Sequence, residues 1–296
     1  MSKIGFIGLG IMGRPMAKNL LKAGVDLLVN DLDRQAVAEL VGMGAKSATG
    51  EEIGAACDVI FTILPNGPIV QAVLFADGGV ATKIRQGAVV CDMSSVTPQE
   101  SRFCFEKLAQ KGVGFVDAPV SGGEPKAIDG TLAFMAGGEQ KDFDALRPYF
   151  EIMGASAILV GPSGSGSVTK LANQMIVNLT IAAVSEAFTL AVKAGADPEK
   201  VYQAIRGGLA GSAVLDAKIP MIINRDFRPG GKISINHKDI KNVMASAHAI
   251  DSPAFLSAVL FEIMQALKVG GHMDEDHGAI VKFFEQQAGV EVAKKA

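Results

Sequence analysis

Lys170, Asn173 and Gln174 stand at i, i+3 and i+4 in the run Gly164-Ser-Gly-Ser-Val-Thr-Lys170-Leu-Ala-Asn173-Gln174. On a helix this spacing projects all three side chains from one face. A lysine there can stabilise charge developing on a carbonyl oxygen and deliver a proton to it, while an amide holds a neighbouring hydroxyl. The plainer alternative is a lysine snorkelling to solvent beside two amides that cap a loop. The residues that follow are apolar on nearly every side: Met175, Ile176, Val177, Leu179, Ile181, Val184, Phe188 and Leu190. A helix apolar all round belongs inside a protein. Lys170, Glu186 and Lys193 interrupt the ~18 uncharged apolar residues that a membrane span needs.

Two other stretches carry glycines where a ligand needs backbone. Ser121-Gly122-Gly123 lets consecutive amides turn toward one point, which makes a concave anion receptor suited to a carboxylate, or else a plain glycine turn. Lys3–Ile7 is a short apolar strand, and Gly8-Leu9-Gly10-Ile11-Met12-Gly13 follows it directly. Met16, Ala17, Leu20 and Leu21 then recur with helical spacing. Strand, G-x-G-x-x-G turn and helix in that order are the context of a dinucleotide site. Gly8 allows the tight turn, Gly10 the approach of the pyrophosphate to backbone amides, and Gly13 close packing of helix on strand.

The next strand, Asp26–Asp31, ends in Asn30 and Asp31, the latter 18 residues after Gly13. A carboxylate there bonds the adenine-ribose hydroxyls and repels a 2′-phosphate, which favours NAD and leaves NADP possible through the nearby Arg34. Asp31 serves equally as a helix cap. Leu64, Pro65 and Asn66 end a further strand, and Ser95 and Thr97 another, so all five are candidates to line the cofactor or are ordinary turn residues. His237-Lys238-Asp239 is expected to open a helix, from which Lys238 reaches cofactor or substrate, or solvent.

These residues need a scaffold that gathers strand ends. Asp58–Leu64, Gly87–Asp92 and Gly114–Asp117 read as buried strands separated by helical segments, as in a parallel sheet. Ligands bind beyond the carboxyl ends of such strands. Leu132–Ala136 and Ala155–Val160 continue the sheet, and Gly161-Pro162-Ser163-Gly164 marks its end. Beyond it, helices are expected over Ala213–Ile223, His237–Ala249, Pro253–Lys268 and His277–Gln287. The fold class is therefore α/β: residues 1–162 form a doubly wound Rossmann domain that binds NAD(P). Residues 163–296 are expected to form an all-α domain that opens with the long helix.

Composition narrows the functions. The 296 residues are 49% hydrophobic with a net charge of −3 and no basic cluster, which argues against a nucleic-acid partner. Cys57, Cys91 and Cys104 lie in apolar surroundings and do not suggest a disulfide framework. With a motif starting directly after the N-terminus, the expectation is a soluble cytoplasmic protein with no membrane partner. His272-Met-Asp-Glu-Asp-His277 reads as a solvated loop whose acids cap the last helix, and no metal site is expected.

Several of these motifs, in order, resemble the β-hydroxyacid dehydrogenase family over the whole chain. Phe6–Gly13 with Pro15-Met-Ala-Lys-Asn-Leu20 resembles its opening signature, and Asp117-Ala-Pro-Val-Ser-Gly-Gly123 its substrate loop. Gly164–Asn173 resembles its catalytic motif, and His237-Lys238-Asp239 its C-terminal one. The resemblance implies hydride transfer between a nicotinamide and a short semialdehyde acid or 3-hydroxy acid. Lys170 would be general acid and base, which calls for a lysine pKa lowered by burial. Asn173 would assist it, Ser121, Gly122 and Gly123 would bind the substrate carboxylate, and Gln174 and Lys238 would contact the substrate. It also implies a cleft spanned by the long helix, and homodimers or homotetramers built through the helical domain. Gln174 departs from the asparagine many members carry there.

Glu124–Leu132 and Ile205–Ser212 are similar to the branch that reduces tartronate semialdehyde to D-glycerate. Acids such as 3-hydroxyisobutyrate, 4-hydroxybutyrate and 2-hydroxymethylglutarate are alternatives within the same chemistry. A phosphosugar-acid decarboxylase would need a cation cluster that the helical half does not show. A non-catalytic dinucleotide sensor would be expected to lose Lys170 or the Ser-Gly-Gly turn.

Overall fold

A computed structural model describes residues 3–294. Nine strands form one sheet: β1 (Ile4–Ile7), β2 (Leu27–Asn30), β3 (Lys46–Ser47), β4 (Val59–Thr62), β5 (Val89–Asp92), β6 (Gly114–Asp117), β7 (Val120–Ser121), β8 (Leu132–Gly138) and β9 (Gly154–Gly161). The first six are parallel, in the spatial order 3-2-1-4-5-6. That is the order of a dinucleotide-binding fold, with its switch point where β1 meets β4. Between the strands run α1 (Gly13–Lys22), α2 (Arg34–Gly42), α3 (Gly50–Ala56), α4 (Gly67–Phe75), α5 (Pro98–Ala109), α6 (Gly123–Asp129) and α7 (Gln140–Met153).

β1, β4 and β5 are short and buried on both faces, so each reads as a run with no polar–apolar alternation. One core, with Phe6, Phe61, Leu20 and Leu40, fills one face of the sheet, and a second, with Ile60, Val90 and Phe115, fills the other. Burying each such side chain contributes about 1.5–3 kcal/mol. The sheet is not parallel throughout. β8 runs antiparallel to β6 and β7, and β9 then pairs parallel with β8. The connection from β7 to β8 holds only the short α6, too little for a parallel crossover.

The chain divides into two compact units, the second starting at Leu171, inside the long helix and not in the loop before it. α8 (Ser165–Lys193) is 29 residues long. α9 (Pro198–Ile205), α10 (Ala213–Ile223), α11 (Ile233–His248), α12 (Phe255–Val269) and α13 (Val281–Ala288) complete the second unit. Ile181, Ile240, Leu260 and Met264 centre one of its cores, and Phe188, Ile219 and Ile222 the other.

Three expectations for this half are corrected. α8 is covered within the chain on one side only: Ile176 and Leu190 are 67% and 70% exposed. Its charges also leave it long and apolar enough to cross a membrane by length and composition. However, Gln174 and Asn178 on it are buried and bonded to protein groups, so protein surrounds that face. α11 begins at Ile233, four residues before His237, and has no side-chain cap. Its first amides are satisfied by a distant loop, Ile233 N donating to Glu275 O and Ser234 N to Met273 O. Finally, Asp276 is fully buried and not solvated. It accepts from Lys218 Nζ at 2.8 Å and from the amides of Gly230, Gly231 and Gly278.

Candidate active site

The glycine turn sits at the switch point. Gly8 has φ +100°, and a Cβ on it would lie 2.2 Å from the carbonyl oxygen of Ile63 at the end of β4. A Cβ on Gly13 would lie 2.0 Å from the Gly8 oxygen, whereas nothing is within 4 Å of one on Gly10. Two glycines thus allow the close packing, and the third leaves space over the backbone. The first turn of α1 contains no acid and no side-chain cap, so no side chain competes for its amides or its positive dipole end. Asp31 holds the turn from the next strand: Oδ2 accepts from Leu9 N at 2.5 Å and Oδ1 from Asp33 N at 2.7 Å. Asn30 is turned away to donate to Ala48 O at 2.6 Å. Ile11 is exposed and Met12 half-buried at the mouth. This cradle of open amides, space over Gly10 and an oriented carboxylate fits a dinucleotide.

The neighbouring strand ends are wired through Asp92. Its Oδ1 accepts from Thr62 Oγ1 at 2.7 Å and from Ser94 Oγ at 2.5 Å, and Ser94 Oγ in turn accepts from Leu64 N at 2.8 Å. One buried carboxylate therefore shapes the loop carrying Leu64, Pro65 and Asn66. Burial pushes the Asp92 carboxyl up to about 6, against the hydrogen bonds from Ser94 and Thr62. Asn66 and Thr97 are occupied as helix caps: Asn66 Oδ1 accepts from Ile69 N, and Thr97 forms a reciprocal capping box with Glu100. Their side chains serve α4 and α5.

Asp117, the register partner of Asp92 on β6, anchors the start of α8. Its Oδ1 accepts from Gly164 N at 2.7 Å and its Oδ2 from Ser167 N at 2.8 Å. A Cβ on Gly166 would lie 2.3 Å from both Asp117 O and Met135 O, so only glycine lets the helix start this close to the sheet. Ser167 also shares a 2.9 Å hydrogen bond with Ser101. Burial pushes the Asp117 carboxyl up to about 7, against the pull of the Gly164 and Ser167 amides. One turn further on, Lys170 Nζ donates to Val120 O at 2.9 Å. Val120 immediately precedes Ser121-Gly122-Gly123, whose glycines have φ +136° and +70°. The structure thus brings the lysine to the turn that the sequence singled out.

In the second unit, Asn173 and Gln174 form a chain of hydrogen bonds. Asn173 Nδ2 donates to Gln174 Oε1 at 3.0 Å, and Gln174 Nε2 donates to Asp239 Oδ2 at 2.7 Å and Asn236 Oδ1 at 3.2 Å. Gln174 is buried with both ends of its amide bound to protein. The extra methylene carries its amide to α11. Lys238 lies in the second turn of α11 with Nζ 3.1 Å from Asp239 Oδ1. From sequence, Asp92, Asp117, Asn236 and Asp239 carry no individual role, Asp117 and Asp239 appearing only as members of longer motifs. A signal existed for the first two, since each closes an apolar strand with an acid.

The strand order and the glycine turn fit an NAD(P)-dependent dehydrogenase. Residues 3–161 match the family described as the NAD binding domain of 6-phosphogluconate dehydrogenase. Residues 164–284 match that described as NAD-binding of NADP-dependent 3-hydroxyisobutyrate dehydrogenase. The chain is 41% identical over 292 residues to 2-hydroxy-3-oxopropionate reductase of Escherichia coli (strain K12), covering 98% of this chain and 100% of the relative. It is 37% identical over 293 residues to 2-(hydroxymethyl)glutarate dehydrogenase of Eubacterium barkeri, covering 98% and 97%. The solved 3-hydroxyisobutyrate dehydrogenase of Mycobacterium tuberculosis with L-serine superposes with a TM-score of 0.89 at 30% identity, covering 95% of this chain and 98% of that one. The chain belongs to the 3-hydroxyisobutyrate dehydrogenase-like family of β-hydroxyacid dehydrogenases.

Proposed function

We propose that this protein reduces tartronate semialdehyde (2-hydroxy-3-oxopropanoate) reversibly to D-glycerate, with NADH preferred. The observation that carries the reading is the 2.9 Å bond from Lys170 Nζ to Val120 O, which sets an ammonium beside the Ser121-Gly122-Gly123 turn. The 41% identity to the E. coli reductase supports the choice of acid.

Gly8, Gly10 and Gly13 with the start of α1 would hold the pyrophosphate, and Asp31 the adenine ribose. When bound, the nicotinamide supplies the hydride, or accepts it in reverse. The amides of Ser121, Gly122 and Gly123 bind the substrate carboxylate and so fix which carbonyl is presented. Lys170 stabilises the charge gathering on the aldehyde oxygen and passes it a proton, and in oxidation takes that proton back. Asn173, one helical turn after Lys170, holds the substrate hydroxyl. Asp31, already bonded to Leu9 and Asp33, places negative charge where a 2′-phosphate would lie.

The test is the initial rate of NADH and NADPH oxidation with tartronate, methylmalonate and succinate semialdehydes. Preference for tartronate semialdehyde with NADH supports the reading. Preference for another acid replaces the substrate, and no reduction of any aldehyde with NADH bound removes the enzymatic reading.

A further inference from the structure

Gln174 can present its amide to Asn173 in one orientation only. The carboxylate of Asp239 only accepts hydrogen bonds, and it lies 2.7 Å from Gln174 Nε2. The second acceptor on Nε2, Asn236 Oδ1, is itself fixed, because Asn236 Nδ2 donates to the carbonyl of Lys232 at 2.9 Å. Both partners require the NH2 end of Gln174. Its Oε1 must therefore face Asn173 and accept one of that residue's N–H groups, at 3.0 Å. The direction of the chain is set at its buried end and passes outward. Asn173 is left with its carbonyl oxygen and one N–H, on the helical face that carries Lys170 one turn earlier.

We infer that Gln174 and Asp239 are positioning residues that fix Asn173 as a hydrogen-bond acceptor, so that the site selects acids bearing a hydroxyl on the carbon between carboxylate and aldehyde. A hydroxyl donates to that oxygen, and a methyl at the same carbon cannot. This rests on the reading of Asn173 as a residue that holds substrate. A site built to bond a hydroxyl discriminates against analogues lacking it, because a polar group is then left unpaired. In place of Gln174, an asparagine is shorter by one methylene and would not carry its amide as far toward Asp239. The wiring is thus a property of glutamine at this position.

The experiment is the ratio of kcat/KM for tartronate semialdehyde to that for methylmalonate semialdehyde, which carries a methyl in place of the hydroxyl. It is measured for wild type, Gln174→Met and Asp239→Asn, with melting temperature and NADH affinity as controls of folding. Gln174→Met removes the relay, and Asp239→Asn keeps the side-chain volume while letting residue 239 face Gln174 with either end. Each variant is expected to lower the ratio by a factor of ~10, the size of one neutral hydrogen bond. General loosening would lower both rates together and leave the ratio standing. If Gln174→Met does not fold, Asp239→Asn decides alone. A wild type with no preference for the hydroxylated aldehyde removes the substrate reading before any variant is compared. A wild type that has the preference, with folded variants that keep it, overturns only the relay.

Discussion

Lys170 and Val120 are joined by a 2.9 Å hydrogen bond, ammonium to carbonyl, 50 residues apart in sequence. The bond sets the ammonium at the first residues of the Ser121-Gly122-Gly123 turn. In the proposed reaction, removing the ammonium takes away both the charge that meets the developing alkoxide and the proton it needs. Lys170→Ala is expected to lower kcat by ~10²-fold or more. NADH binding, measured by fluorescence titration, should persist, because Asp31 and the glycine turn are untouched. A variant with near wild-type kcat would remove Lys170 from the chemistry.

Lys170 is only as well placed as the helix that carries it, and Asp117 fixes the start of that helix with both carboxylate oxygens. An asparagine can accept at one position and would oppose an N–H with its own NH2 at the other. Asp117→Asn is expected to cost about 1–3 kcal/mol of stability, as for charge-assisted bonds left unmade. It should also reduce kcat more than it raises the KM for NADH. Denaturant titration and steady-state kinetics check the two parts, and an unchanged kcat in the folded variant would confine Asp117 to stability.

The parts of the site readable in sequence are those made by neighbours in the chain. The glycine turn, Asp31 after β2, and Lys170 with Asn173 on one helical face each depend on spacings of a few residues. The Thr62–Asp92–Asp117 row exists because strand register sets three distant residues side by side, and no local pattern encodes that. Gln174 meets Asn236 and Asp239 across separations of 62 and 65 residues, so from sequence its amide was assigned to the substrate. α11 starts early for a related reason, since the carbonyls of Met273 and Glu275 take the place of a side-chain cap. Apolar periodicity gave α10 its observed bounds. For α8 it could not distinguish a face covered within the chain from one left exposed.

Asp31 has two tasks, holding Leu9 N and, as proposed, discriminating between cofactors. Asp31→Asn keeps one acceptor and loses the negative charge. NADH affinity should fall by roughly tenfold, the worth of a hydrogen bond to a charged group. The relative affinity for NADPH should rise, because the repulsion of a 2′-phosphate is gone. Titration with both cofactors checks this, and an unaltered NADH-to-NADPH ratio would remove Asp31 as the selector.

Ile176 and Leu190 on α8, and Phe255, Leu256 and Val259 on α12, are 62–80% exposed within the single chain. Exposed apolar side chains of this size are candidates for an interaction surface. The expected homodimer or homotetramer would cover them. The mass in solution should be at least twice the 30.8 kDa of one chain. Leu190→Lys should shift it toward monomer, and a monomeric wild type by light scattering would remove the inference.

His277 makes stability depend on acid in a direction that can be worked out. Burial, with Lys218 nearby, pushes its imidazole down from 6.5 to about 4, and Asp276 only partly offsets this. Asn178 donates its Nδ2 to Gln174 O, so its Oδ1 faces His277 Nδ1 at 3.4 Å and favours the neutral ring protonated at Nδ1. As pH falls below 6.5 the unfolded chain binds a proton that the folded chain refuses, so stability is lost progressively down to about 4. Asp117, pushed up to about 7, and Asp92, pushed up to about 6, act oppositely, because there the folded state holds the proton more tightly as pH falls. A comparison with His277→Gln reads the histidine together with its neighbour Asp276, whose carboxyl the His277 charge helps hold low, and glutamine can still donate to Asn178. Between pH 7 and 4.5 the wild type should lose roughly 1–3 kcal/mol more than the variant in denaturant titrations. Parallel pH profiles would show that His277 takes up its proton as readily folded as unfolded.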